Sequence, residues 1–444
     1  MSLALVWFRR DLRLADNPAL DAARRGGSHV LPVYVHAPDE EAPWQPGAAS
    51  RWWLHHSLVA LDAELRRRGS RLHVAQGPTL AALQEIVAAT GAVAVHWNRV
   101  YEPAFEKRDA EVKRVLRGDG IDAHSHKAAV WFEPWEVLTA QDEPYRVFTP
   151  YWRKARTQLA PRPPLPAPAR IEGPIPDAGL AIEALALRPT IAWDAGLAET
   201  WTPGEHGAQE ALADFLAGPL ADYATQRDRP DLEGTSRLSP HLHFGEISPT
   251  QVAWAIEERR RKGRTNLQDG AESFLRELGW REFSQQLLHH FPRMPERNLD
   301  ARFNGFRWAR TDRVALRRWQ QGHTGIPIVD AGMRELWTTG TMHNRVRMLV
   351  ASFLTKNLRQ HWRHGARWFW DTLVDADLAN NSQGWQWTAG CGVDASPYFR
   401  IFNPVTQGEK FDPHGHYVRR WVPELADAPA ALVHAPWRDP AWRA

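Results

Sequence analysis

Four clusters of residue types in this chain could carry chemistry. The stretch DADLANNSQGWQWTAGCG, residues 375–392, sets Asp375 and Asp377 ahead of Asn381 and two tryptophans, Trp385 and Trp387. The two carboxylates could bind a metal, or accept bonds from Arg347 and from a ligand's hydroxyls. Helical residues two apart do not face the same way, so the two rings must serve different surroundings. In EGTSRLSPHLHFGEISP, residues 233–249, Thr235, Ser236 and Ser239 are N-cap types. Short hydroxyls beside free backbone N–H groups bind phosphate, although a plain capped turn uses the same residues. His241 and His243 follow without obvious carboxylate company, a weak metal signal. In FLRELGWREF, residues 274–283, Glu277 and Arg281 stand four apart with Trp280 between them. An acid, a flat ring and a base can thus share one helix face, as can the members of an ordinary solvated pair. TMHNRVRM, residues 341–348, places Asn344, Arg347 and Met348 at helical spacing with Arg345 alongside. His361 and His364 in QHWRHG are three apart with no third ligand in view, which fits a solvated face. Arg400 follows two aromatics in YFRIFNPVTQGEKFD, residues 398–412.

The elements that must position these residues differ between the two halves of the chain. In the first 130 residues, LALVWF, VLPVYV, RLHVAQ and VAVHWN are short apolar runs of the kind found in buried parallel strands. Segments with apolar residues at helical spacing lie between them, so the alternation predicts a doubly wound parallel-sheet α/β domain over 1–130. No G-x-G-x-x-G or Walker-type loop is present to support a nucleotide site there. Residues 131–202 form an interdomain stretch whose Pro- and Ala-rich part, APRPPLPAPARIEGPIPDAG, reads as an extended linker. From 203 to 444 the apolar spacing is helical, giving an all-α domain that holds all four clusters.

Composition narrows the function classes. The chain has 444 residues, 43% hydrophobic and 24% charged, an ordinary globular balance. Its formal net charge of +3 allows a polyanionic partner only if the positive charge is concentrated on one face. Cys391 is the only cysteine, which excludes intramolecular disulfides and Cys-rich metal clusters and fits a reducing cytoplasm. The N-terminus lacks a signal-peptide pattern, and no apolar run is long enough to span a membrane. Tryptophan is the outlier at 23 residues. Most read as core filler, but those in GWRE, GWQW and QHWRHG sit in polar settings.

Taken together, VWFRRDLRLADNPAL, EGTSRLSPHL, WREF, TGIPIVDAGMRELWTTGTMHNRVRM, DTLVDADLANNSQGWQW and DASPYFRIFNPVTQGEKFD resemble the DNA photolyases of the photolyase/cryptochrome family. ASRWWLHHSL and HWNRVYEP resemble its bacterial class III branch. The resemblance runs from residue 3 to about 425. It implies a monomeric, light-driven repair enzyme acting on damaged DNA, with no obligate protein partner. Excited reduced FAD, held in the helical domain, gives an electron to a flipped-out cyclobutane pyrimidine dimer, the ring splits and the electron returns.

Residue by residue, the resemblance places Tyr223, Thr235, Ser236, Leu238 and Ser239 around the FAD phosphates, and Phe274 near the adenine. Asn344, Arg347, Asp375 and Asp377 surround the isoalloxazine and sugar chain, and Asn381 faces flavin N5. Plant cryptochromes carry Asp at that last position, so Asn381 argues for repair over blue-light signalling. Glu277 matches the acid that hydrogen-bonds the lesion, Trp280 and Trp387 its flanking rings, and Met348 a thioether contact. Arg227, Arg281, Arg345 and Arg400 match basic positions at the pocket and DNA face. Trp385, Trp362 and Trp308 match the ring chain that photoreduces oxidised flavin, with Trp368 and Trp370 as candidates for a second branch. Six-four photoproduct enzymes need a His pair near the lesion, and TMHNRVRM follows the dimer pattern instead. An antenna chromophore is expected on the α/β domain, first a folate (methenyltetrahydrofolate), then a deazaflavin or none. Glu106 and Trp44 are its candidate contacts, although Phe105 replaces the Asn usual beside Glu106 in one subgroup. No metal is implied.

Overall fold

A computed structural model describes residues 2–174, 179–262, 267–395 and 401–442. Five strands, β1 Leu3–Phe8, β2 His29–His36, β3 His73–Gln76, β4 Ala94–Asn98 and β5 Asp122–His126, form one parallel sheet ordered β3-β2-β1-β4-β5. Strand β1 explains why the sheet needs both faces covered. Ala4, Val6 and Phe8 enter one apolar core, and Leu3, Leu5 and Trp7 enter the core on the other side. The helices α1 Pro18–Arg25, α2 Ala48–Arg67, α3 Thr79–Thr90 and α4 Pro103–Gly118 alternate with the strands. Four of the five strands coincide with the apolar runs. The fifth does not: DAHSH, at one edge of the sheet, buries only Ala123, whereas β3 at the other edge keeps an apolar run.

Helix α5, Phe148–Gln158, lies within the 131–202 stretch and packs against the helical domain through Phe148 and Tyr151, both buried. Helices α6 Ala195–Thr200, α7 Glu205–Ala217, α8 Pro219–Gln226, α9 Ser239–His243, α10 Pro249–Arg261 and α11 Gln268–His290 follow. The chain continues through α12 Arg313–Gln321, α13 Pro327–Thr339, α14 Asn344–Ser352, α15 Trp362–Thr372, α16 Leu378–Ala389, α17 Pro404–Phe411 and α18 His416–Trp421. Local chemistry sets several boundaries. Ser248 and Gln251 form a reciprocal capping box ahead of α10, and Asp377 caps α16, which ends at Gly390 in the left-handed conformation.

One buried acid knits the seam between the two domains. Glu246, with no exposed surface, accepts bonds from Trp53 Nε1 (2.9 Å), the Ser57 hydroxyl and the Gly204 amide (2.8 Å), and its second oxygen lies 2.5 Å from His241 Nδ1. One carboxylate therefore ties α2, the start of α7 and α9 together. Four partners satisfy a group that would otherwise be costly to bury.

Candidate functional site

The starts of α9, α14 and α16 are drawn together by Asp375. The Arg347 guanidinium donates to both Asp375 oxygens, at 3.0 and 3.1 Å, and the Ser239 hydroxyl donates to one of them at 2.6 Å. Arg347 is itself aimed by a 2.7 Å bond from Nε to the Met342 carbonyl. This half-buried, charge-assisted set joins residues more than a hundred positions apart in sequence. Asp377 does different work. One oxygen accepts the Asn380 amide (2.8 Å) and side chain (2.7 Å), and the other accepts Gln285 of α11 (3.0 Å). Burial alone would raise its pKa. The His243 ring at 3.8 Å, the Arg281 charge and the Asn380 amide outweigh that and hold the carboxyl well below the usual carboxylate range.

Asn381, one turn into α16, donates its side-chain N–H to the Ala366 carbonyl at 2.9 Å, which fixes the orientation of the amide. Asn344 opens α14 with an exposed side chain, and His343 caps that helix by accepting the Arg345 amide on Nδ1 (3.2 Å). Burial pushes the His343 imidazole down to about 4, so it is a neutral cap. Ser236 Oγ accepts the Leu238 amide (3.3 Å), Thr235 is half-buried, and Leu238 is buried. Tyr223 and Phe274 pack edge to face, 5.2 Å between centroids, in the apolar cluster beneath this turn.

The acid of α11 does not pair along its own helix. Glu277 is bound by Arg227, 2.5 Å away at the end of α8, because α8 packs directly on α11. Arg281, expected at an open face, turns into the domain seam, where it donates to the Ala129 carbonyl (2.8 Å) beside Glu282. Arg345 pairs with Asp228 (2.7 Å) and lies over the Phe411 ring at 4.4 Å. Trp280 is half-buried and stacked on Phe148, with centroids 3.6 Å apart and planes within 10°. Met348 and Trp387 are also half-buried, and Trp387 Nε1 donates to the Asp394 carbonyl (3.1 Å). Arg400 lies outside the described residues.

Trp385 and Trp362 are buried. The Trp385 ring fills space left by Gly365 on α15, where a Cβ would lie 1.9 Å from the ring. Trp362 donates to Asn298 (2.9 Å). His361, which caps α15, sits between Trp362 and Trp308, with ring centroids at 5.6 and 5.0 Å. Its pKa falls to about 4 through burial, so this spacer is neutral too. Phe369 and Trp319 also touch Trp385, at 5.0 and 6.1 Å. Trp368 stacks on the exposed Trp337 (6.0 Å), whereas Trp370 is tied to the Gln45 carbonyl and meets Trp44 edge-on (5.6 Å).

Several partners escaped sequence reasoning. His241 and His243 do have carboxylate company, in Glu246 and Asp377, but both acids are already saturated, and no metal-holding group occurs among the described residues. The signal lay in Gly245: its φ of +65° folds the chain back so that Glu246 reaches His241. Glu106 pairs across the seam with His289 (2.6 Å). A cavity of about 410 Å³, lined by Asp16, Lys127, Trp131, Phe132, Gln158 and Arg162 among others, lies apart from this cluster. Its charges pair with one another, Arg162 with Asp16 and Lys127 with Glu136, so it offers few free polar groups.

The donor set suits a long, anionic, partly aromatic ligand. It offers a cation held in place by Asp375, hydroxyls at the start of α9, an oriented amide at Asn381, and the buried Trp385 Nε1, which has no partner. The fold is thus a parallel α/β domain docked on a helical domain that carries this donor set. Residues 4–169 match the DNA photolyase family model, and residues 274–444 match the FAD binding domain of DNA photolyase. The chain is 46% identical over 438 residues to a deoxyribodipyrimidine photo-lyase of Agrobacterium fabrum, covering 98% of this chain and 90% of that one. It is 41% identical over 455 residues to cryptochrome-1 of Arabidopsis thaliana, covering 98% of this chain and 65% of the other. The crystal structure of a bacterial class III photolyase from Agrobacterium tumefaciens matches with a TM-score of 0.94 at 45% identity, covering 99% of this chain and 90% of that one. The chain belongs to the photolyase/cryptochrome family.

Proposed function

We propose that this protein repairs cyclobutane pyrimidine dimers in DNA with light. The observation that carries this reading is helix α16, which buries Trp385 and holds Trp387 half-buried on a different face, with the oriented Asn381 amide one turn earlier. When bound and reduced, FAD supplies the photoexcited electron that opens the dimer and recovers it afterwards.

The chain's own residues bind and orient. Arg347, aimed by Asp375, and the hydroxyls of Thr235, Ser236 and Ser239 hold the dinucleotide. Asn344 and Asp377 border it, with Tyr223, Leu238 and Phe274 as the apolar floor. The Asn381 amide is neutral, so it tolerates negative charge on a reduced flavin where a carboxylate would repel it. Trp280 and Trp387 flank the extruded lesion. Stacking of roughly 1–3 kcal/mol per base offsets an extrusion cost of a few kcal/mol, and that cost is lowest at a damaged step. Glu277, held by Arg227, hydrogen-bonds the lesion, and Met348 packs against it. Arg345 meets the DNA backbone. Trp385, Trp362 and Trp308 relay electrons inward, with His361 filling the gap between the outer two.

The antenna proposed for the α/β domain is first a folate, then a deazaflavin or none, with Trp44, which meets Trp370 edge-on, and Glu106, which His289 engages, as its candidate contacts. The protein acts as a cytoplasmic monomer. Among the described residues no helix is long and apolar enough to cross a membrane. The test is light-dependent loss of thymine dimers from an oligonucleotide treated with fully reduced protein. No repair, with flavin photoreduction intact, would reject the reading in favour of blue-light signalling. A near-ultraviolet band that persists on reduction and is released on denaturation would identify the folate.

A further inference from the structure

We propose that Phe148, which precedes the helical domain in sequence, is a positioning residue that sets the lesion-facing wall by backing Trp280. The proposal rests on the reading of Trp280 as a ring that flanks the lesion. The two rings lie face to face, 3.6 Å between centroids and 10° between planes, the closest ring pair among the described residues. Phe148 has no exposed surface, whereas Trp280 is half-buried, so the open part of the indole lies away from Phe148.

Phe148 cannot give way. Trp152, one turn later on α5, lies nearly parallel to it (6.3 Å, 8°), Phe283 meets it at a steep angle (5.8 Å, 66°), and the Arg276 guanidinium sits 5.6 Å over it. The grip extends to the backbone of α11. At Gly279, just before Trp280, a Cβ would lie 2.4 Å from the Trp152 ring, so the glycine admits that ring against the helix. Phe148 and Trp152 thus hold Gly279 and Trp280 from behind. An indole locked in this way pays little conformational entropy when a base stacks on its open face.

Dark binding of a dimer-containing duplex and of its undamaged counterpart tests the proposal. Phe148→Leu should weaken lesion binding by about 2- to 10-fold, the range expected for one freed side chain. Binding of undamaged DNA, flavin content and flavin photoreduction should not change. Phe148→Met, which keeps the volume and loses the flat ring, should behave alike if the leucine variant folds poorly, and Phe148→Tyr should restore affinity. In a Trp280→Ala background, Phe148→Leu should add nothing. An equal loss in both backgrounds, or no loss beside Trp280, overturns the positioning role. If Trp280→Ala alone leaves lesion binding unchanged, the wall assignment itself fails, a separate result.

Discussion

The tryptophans assigned to electron supply and those assigned to the lesion differ in what fixes them. Trp385 and Trp362 are buried and held by close packing: Gly365 makes room for one, and Asn298 takes the N–H of the other. Trp280 and Trp387 are half-buried; Phe148 stacks on the first, and the Asp394 carbonyl accepts the N–H of the second. An electron relay needs constant distances and exclusion of water. A base-stacking wall needs one face free and the other immobile. Helix α16 serves both because residues two apart point in different directions.

The sharpest way to separate the groups is Trp362→Phe. Photoreduction of oxidised flavin should fall about tenfold or more, a barrier change of at least ~1.4 kcal/mol. Dimer repair by chemically reduced protein should stay near normal, and parallel loss of both would merge the groups. Trp387→Ala should do the reverse, weakening dimer binding by about 1–3 kcal/mol while photoreduction persists, as read by titration in the dark and flash absorbance. Gly365→Val probes the enclosed group without removing a ring. The added side chain meets Trp385, so stability should drop by about 1–3 kcal/mol, with slower photoreduction in the surviving fold. An unchanged melting temperature would show that the relay is looser than its packing indicates. Smallest is Arg345→Gln at the open side. It should reduce the log–log salt slope of DNA binding by up to about 0.9, for damaged and undamaged DNA alike. A change confined to damaged DNA would move Arg345 from the backbone to the lesion.

Much of this was legible in the sequence, and the exceptions have physical causes. Continuous apolar runs gave away the three central strands because a central parallel strand is buried on both faces; of the two edge strands, β3 still carries an apolar run, whereas β5 buries only Ala123 and was hidden. The Arg347–Asp375 pair followed from the family resemblance and stands in the structure. Spacing alone favoured Glu277 with Arg281, but α8 delivers Arg227 to Glu277 instead, and helix packing is invisible to an i, i+4 count. His361 looked like a solvated histidine because nothing in QHWRHG reveals that it caps α15 and lies between two tryptophans. Phe148 was missed because its partner is more than 130 residues away, in a stretch whose proline content suggested mere connection.

Helix α5 also bears on how such proteins can be recombined. It precedes the helical domain in sequence, yet it is built into that domain's core. A chimaera that imports a foreign sheet domain with a junction near residue 130 carries α5 with the helices it supports. A junction near 202 brings in another protein's α5 against this α11, so two lineages meet at the face between them. Exchange of light-harvesting modules within the family is therefore expected to tolerate crossovers before Phe148 and to resist them after it.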